Sequence, residues 1–381
     1  MDTFFDIPTS TIIEHFVTLQ DPRIERTKLH PLLDIITLTI CAVICGAEGP
    51  ADIEQYGQEK YDWLKTFLAL PNGIPSHDTI GRVLARLDPK QFQACFLHWI
   101  GDICQLSCGE VVPIDGKTVR HSYDTELGQS AIHMVSAWAA TNRLVLGQVK
   151  VSAKSNEITA IPELLDVLDI ADCIVTIDAL GCQKDIAAQI IEKDADYVLA
   201  LKGNQEHLYD DVKRLFDTLF QQEVAPSTLD YYETTESGHG RIEVRRYWTT
   251  SALDALRTKD QWRGLQTVGL VEAERTLNGE TTLEQRYYLV SFPNDARTFG
   301  TSVRAHWGIE NLVHWVLDVA FREDMSRIRM DHGPENFALI RHIALNLLRQ
   351  ETSFKGSIKT KRLKAGWNNT YLKKVLCGDP T

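Results

Sequence analysis

The chain has no apolar run long enough to cross a bilayer. Its longest candidate, residues 32–47 (LLDIITLTICAVICGA), falls short of the roughly 20 residues a spanning helix needs and carries Asp34 near its start. It reads as a buried helix. No cationic segment opens the sequence, where Asp2 and Asp6 stand instead, so secretion is not expected. Metal-binding signatures are also missing: the eight cysteines are scattered, mostly in apolar runs, without CxxC or HxxxH. That speaks for reduced thiols in a cytosol rather than disulfides or structural zinc. Positive charge is scarce, 40 Lys and Arg against 52 Asp and Glu, for a formal net charge of −12. A protein that coats nucleic acid through bulk electrostatics is therefore excluded, and only a local basic face remains open. No internal repeat or low-complexity tract stands out.

What is present is ample core material: 44% hydrophobic residues in 381, enough for two or three domains. Through residues 1–105 apolar positions recur at helical spacing, over 11–19, 31–47, 53–68, 79–87 and 90–105, with breaks at Gly49-Pro50 and Pro71-Asn72-Gly73. This predicts a helical N-terminal domain. After Cys108-Gly109 the period changes. Residues 111–115, 131–140 and 143–151 read as strands, the last two joined by a Thr141-Asn142 turn. A helix over 161–168 with Pro162 in its first turn, a strand over 173–178, a helix over 184–193, a strand over 197–201 and a helix over 206–220 follow.

The order β-β-β-α-β-α-β-α is that of a ribonuclease-H-like α/β core, assigned to residues 106–225. Residues 226–293 read as a β-rich insertion or sheet extension, with strands over 241–249, 267–274 and 285–292 and turns at 238–240 and 278–279. Residues 294–381 return to helix. Their tail holds seven Lys and Arg, from Lys355 to Lys374, with Trp367 and Tyr371 among them, compatible with DNA backbone contact or with a solvated surface.

Two aspartates draw attention. Asp115 ends the strand in VVPIDGKT and Asp178 the strand in CIVTIDALGCQ, each anchored by apolar residues, and the strand order makes those two strands neighbours. Paired carboxylates at adjacent strand ends suit bridging of two divalent cations for phosphoryl transfer; without cations they repel and one pKa rises. The alternative for each is a strand-terminal turn residue. A third acid is expected in VRAHWGIENLVHWVLDVAFREDMSRIR. Glu310 has His306 at i−4 and His314 at i+4, which leaves a metal ligand, a solvated stripe or half of a zinc site open; Glu323 and Asp324 are held in reserve. Gly116-Lys117-Thr118 is not a P-loop, because Val111 occupies the position of the required first glycine. Lys117 and Arg120, directly after Asp115, and Lys202, Asn204 and Gln205, after the next strand, are candidates for phosphate contact.

The motifs IDGKTVRHS, IDALGCQKDIA, DYVLALKGNQ and VRAHWGIEN with HWVLDVAFREDMSRIR together resemble the DDE transposases of the ISAs1 insertion-sequence family. That family includes the H-repeat-associated proteins found beside Rhs elements. The N-terminal DPRIERTKLHPLLDIITLTICAVICGAEGPADIEQYG resembles the family's helical associated domain, and the match spans about residues 10–375.

The resemblance implies a catalytic triad of Asp115, Asp178 and Glu310 holding two Mg2+ ions, with Mn2+ as a substitute. It implies cutting at inverted repeats and joining to target DNA, in a bacterial cytoplasm, at the nucleoid when DNA is bound, and with a homodimer open in the DNA complex. A wider related group carries Tyr, Arg and Lys around the glutamate; here those positions read Val303, His306 and Leu317, of which His306 is kept as a DNA-contact candidate. The competing readings are a metal-dependent nuclease without strand transfer, an inactive or domesticated DNA-binding relative, and a glycosidase with paired carboxylates.

Overall fold

Where the hydrophobic period switches from helical to alternating, the chain leaves a helical layer and enters a sheet. The computed structural model describes residues 12–123, 130–152, 156–221, 227–238, 241–277 and 280–377. Helices α1 (Ile12–His15), α2 (Leu32–Cys45), α3 (Pro50–Glu59), α4 (Tyr61–Leu64), α5 (His77–Arg86) and α6 (Pro89–Ile103) come first. Helix α2 is apolar almost all round and correspondingly buried from Asp34 to Ile44. Among the described residues no single helix is long and apolar enough to cross a membrane. All eight cysteines are free.

The sheet strands are β1 (Val111–Thr118), β2 (His133–Ala139), β3 (Leu144–Lys150), β4 (Ile174–Ile177), β5 (Asp196–Leu201), β6 (Leu229–Gly238), β7 (Arg241–Thr250), β8 (Thr267–Leu277) and β9 (Glu280–Val290). Helices α7 (Glu157–Val167), α8 (Lys184–Glu192) and α9 (Glu206–Phe220) alternate with the central strands. Among the described residues nine strands form one sheet in the order β3-β2-β1-β4-β5-β9-β8-β7-β6. Its first five, with β1-β2-β3 antiparallel and β1-β4-β5 parallel, are the ribonuclease-H-like core. The β-rich segment inserted before the C-terminal helices does not fold apart: β9 pairs antiparallel with β5 and carries the sheet outward. Strand β6 adds an outer edge that alternation did not reveal. The expected turns at 238–240 and 278–279 fall wholly or partly outside the described residues.

Helix α7 begins earlier than expected. The Asn156 side chain accepts the Ile158 N–H at 3.1 Å as N-cap, so Pro162 is the sixth residue of the helix, not in its first turn. At the C-terminal end come α10 (Ala296–Gly308), a π-helical turn (Ile309–His314), α11 (Trp315–Phe321), α12 (Gly333–Gln350), α13 (Ile358–Trp367) and α14 (Asn369–Cys377). Helix α12, buried along nearly its whole length, packs against α2, α5, α6 and β3 and ties the helical layer to the sheet.

Two of the tail's seven basic residues, Lys361 and Arg362, are part of this core. Lys361 donates to the Leu348 carbonyl at 2.8 Å and Arg362 to the Val43 carbonyl at 2.8 Å. Tyr371 is buried on Glu351.

Candidate active site

Parallel pairing of β1 and β4 sets Ile114 opposite Ile177. Each strand then delivers an aspartate at the next position, so Asp115 and Asp178 stand side by side at the same edge and on the same sheet face. Helix α10 crosses that face. His306 meets the Thr176 hydroxyl, Nδ1 to Oγ1 at 2.9 Å, and Thr176 lies two residues before Asp178 on the same face. Two helical turns on, His314 Nδ1 is 3.5 Å from Asp115 Oδ2. Glu310, exposed, lies between these two contacts, on the π-helical turn, a feature that often marks functional segments. Asp178, Glu310, His306 and Lys202 share one open cleft of about 400 Å3.

The electrostatics carry the mark of crowded acids. Asp115 is pushed up to about 7, mainly by burial, opposed by the Gly116 N–H and reinforced by Asp178, Glu157 and Glu310. Asp178 spends one oxygen on a turn: Oδ1 accepts the N–H groups of Leu180 at 3.0 Å and Gly181 at 3.3 Å. The turn reading of Asp178 is thus also true, and its second oxygen is left for the cleft.

Glu157 is a fourth acid that the sequence reading missed. It is held by His133 Nε2 at 2.6 Å, and the Nδ1 of the same ring meets Thr118 Oγ1 at 2.8 Å. A Cβ at Gly116 would lie 2.2 Å from the Glu157 carboxylate and 2.4 Å from His133 Nε2, so a larger residue after Asp115 would displace this pair. His314 is pushed down to about 4 by burial and by the Lys117 charge, and it is neutral at physiological pH.

Several phosphate-contact candidates have other partners. The Lys117 ammonium is nearly buried and surrounded by Asp318 at 2.7 Å, Glu323 at 2.8 Å and Asp324 at 3.3 Å, so its three protons face acids and not DNA. Glu323, buried, also meets Arg341 at 3.5 Å, which removes it as a reserve ligand; Asp324 pairs with Lys117 and Arg120. Asn204 donates to the Ala179 carbonyl at 2.6 Å and Gln205 to that of Cys182 at 3.0 Å, bracing the loop after Asp178 instead of facing DNA. His306 is half-buried and lowered by burial, hence neutral, with Nδ1 on Thr176. Lys202 and Arg120 are exposed and remain open to a phosphate. Val303 and Leu317 are buried core residues.

Residues 106–347 match the model of the transposase DDE domain, and residues 13–100 that of the DDE_Tnp_1-associated domain. This chain belongs to the DDE transposase family. It is 42% identical over 373 residues to the "H repeat-associated putative transposase YhhI" of Escherichia coli K12, covering 96% of this chain and 98% of that one. A second K12 relative, the "H repeat-associated putative transposase YbfD", is 44% identical over 246 residues, 64% of this chain and 96% of its own. A shorter one, the "Inactive transposase YbfQ" of the same strain, is 48% identical over 75 residues, 20% of this chain and 89% of its own. Among solved structures, a piggyBac transposase synaptic complex with hairpin DNA aligns over 97% of this chain and 79% of that one, with 11% identity and a TM-score of 0.43. DDE transposases generally use divalent metal ions.

Proposed function

We propose that the chain is an active transposase that cuts DNA at the ends of an insertion element and joins them to target DNA, with Asp115, Asp178 and Glu310 as its catalytic carboxylates. The observation that carries this reading is the register of Ile114 on Ile177, which makes two aspartates neighbours on the face that Glu310 overhangs.

The donor set fits a hard divalent cation such as Mg2+: carboxylate oxygens, one of them held near neutrality by burial and like charge. Cations bound there would supply Lewis-acid activation of water or a 3′ hydroxyl and offset charge on the phosphate under attack. Around them the protein has three tasks. The Leu180 and Gly181 N–H groups fix one Asp178 oxygen and aim the other, while Asn204 and Gln205 hold that loop against the next one. The neutral His306 and His314 clamp the Glu310 turn between β4 and β1 without adding a cation that would compete for the acids. Lys202, at the cleft rim, is free to meet a phosphate. No covalent enzyme intermediate is required.

In this reading residues 1–105 are the associated helical domain, 106–225 and 294–381 frame the catalytic centre, and 226–293 extend it toward DNA. Titration of the purified protein with Mn2+ tests the assignment. Binding that Asp115→Asn, Asp178→Asn and Glu310→Gln each weaken by tenfold or more supports it, and binding indifferent to all three removes it.

A further inference from the structure

The outer sheet separates its charges by face. Alternation along β7 points Arg241 and Arg245 to one side and Arg246 to the other. On the second side Arg246 is enclosed by Glu233 at 3.3 Å, Glu272 at 3.1 Å and Glu274 at 2.9 Å, leaving that side net acidic. On the first side Arg241 and Arg245 join Arg275 from β8, Arg286 from β9 and Arg304 from α10 around one groove of about 500 Å3, which Glu243 and Glu284 also line and at whose margin Glu236 meets Arg245 and Arg304. Five guanidinium groups against three carboxylates, in a chain with 12 more acids than bases, is a local reversal of sign.

The groove does not end blindly. Tyr288, Val303 and Trp307 line both it and the cleft of Asp178 and Glu310, so the two form one continuous depression along α10. At the junction the Arg286 guanidinium lies 4.8 Å from the centre of the Trp307 ring. Arg241 and Arg304 sit on neighbouring carboxylates, Glu243 at 3.0 Å and Glu236 at 3.1 Å, exchangeable surface pairs that a phosphate can replace. Arg275 is exposed and, among the described residues, makes no ion pair.

We infer that this groove holds the sugar–phosphate backbone of the DNA strand leading away from the carboxylates, so that the β7–β9 extension positions the substrate flank by phosphate contact. The inference rests on the transposase reading of the cleft. Guanidinium forks spaced along a groove fit successive phosphodiesters, and they carry position without base identity. A basic face that net charge alone left open is therefore built by strand alternation.

Two measurements on the full chain test it. The first is fluorescence anisotropy with a labelled duplex carrying a single-stranded extension, in Ca2+ buffer across a range of salt, comparing wild type, Arg241→Gln/Arg275→Gln and the control Lys213→Gln on α9. The double variant is expected to bind at least tenfold more weakly at low salt, with a log–log salt slope shallower by about 1.4 to 1.8, since each of the two lost phosphate contacts removes about 0.7 to 0.9. The control is expected to match wild type. The second needs no variant: DNA is expected to protect Arg275 from phenylglyoxal, read by peptide mass spectrometry. An unchanged slope together with unprotected Arg275, while wild type binds DNA, overturns the groove alone. No DNA binding by wild type overturns both the groove and the DNA reading of the cleft.

Discussion

Asp115 and His314 titrate in inverted order. Their facing atoms are 3.5 Å apart, yet the carboxyl sits at about 7 and the imidazole at about 4, because burial penalises the charged form of each. Near pH 5.5 both are therefore neutral, and a cation must displace a proton to bind Asp115.

A pH dependence follows from Asp115. A carboxyl raised from 3.8 to about 7 on folding contributes stability that is full below the unfolded value and is lost as pH rises through about 7. Asp115→Asn lacks this loss. In metal-free buffer the melting temperature of Asp115→Asn relative to wild type should therefore rise between about pH 5 and pH 8, by an amount on the order of a few kcal/mol of stability. Stabilisation of wild type by Mg2+ should grow over the same interval. A flat difference between the two proteins would show that Asp115 is not perturbed.

Glu323 is a structural charge. It is buried between Lys117 and Arg341, so Glu323→Gln leaves two buried cations short of a partner and should cost roughly 3–5 kcal/mol in urea unfolding. Asp324→Asn, at the more exposed margin of the same cluster, should cost about 1 kcal/mol or less. Equal, small losses would contradict this division.

Asn204 acts through the loop that carries Asp178. Asn204→Ala removes its bond to the Ala179 carbonyl and should cost about 1 kcal/mol of stability. Turnover should fall while the DNA affinity and its salt slope stay put, whereas a phosphate-binding Asn204 would change the slope.

Truncation after Glu351 should unfold the protein rather than trim a DNA contact. Lys361, Arg362 and Tyr371 are buried on Leu348, Val43 and Glu351, and α13 and α14 cover α2 and α12. Circular dichroism is expected to show lost helix and a lower melting temperature. A stable truncated protein with a shallower salt slope would return the tail to the DNA face.

Legibility in the sequence followed the range of the interactions. Asp115 and Asp178 were readable because each follows an apolar run and the order of strands and helices was enough to make those strands neighbours, although Asp115 does not end its strand as expected: β1 runs on to Thr118 by pairing with β2. Strand β6 was not readable: LDYYETTESG is a mostly exposed edge strand with no buried face to impose alternation. The joining of β9 to β5 links residues about ninety positions apart, and nothing local encodes it. Lys117 looked like a phosphate ligand because its acids lie some two hundred positions away, and Lys361 and Arg362 of the tail read as DNA-contacting or solvated because their acceptors are backbone carbonyls of other helices. The π-helical turn under Glu310 lies between the contacts of His306 with Thr176 and of His314 with Asp115, which spacing alone does not reveal.

The most direct measurement of the central claim is a map of DNA products. Purified protein is incubated with Mg2+ and DNA carrying the candidate element ends that flank its own coding sequence, beside Asp115→Asn, Asp178→Asn and Glu310→Gln. Wild type is expected to cut at the ends and to join the freed 3′ hydroxyls to target DNA. Each variant should lose at least about a thousandfold in rate while remaining folded, as expected when several kcal/mol of metal-assisted stabilisation are removed. Cutting and joining that persist in any of the three variants, or that proceed in EDTA, would contradict the account.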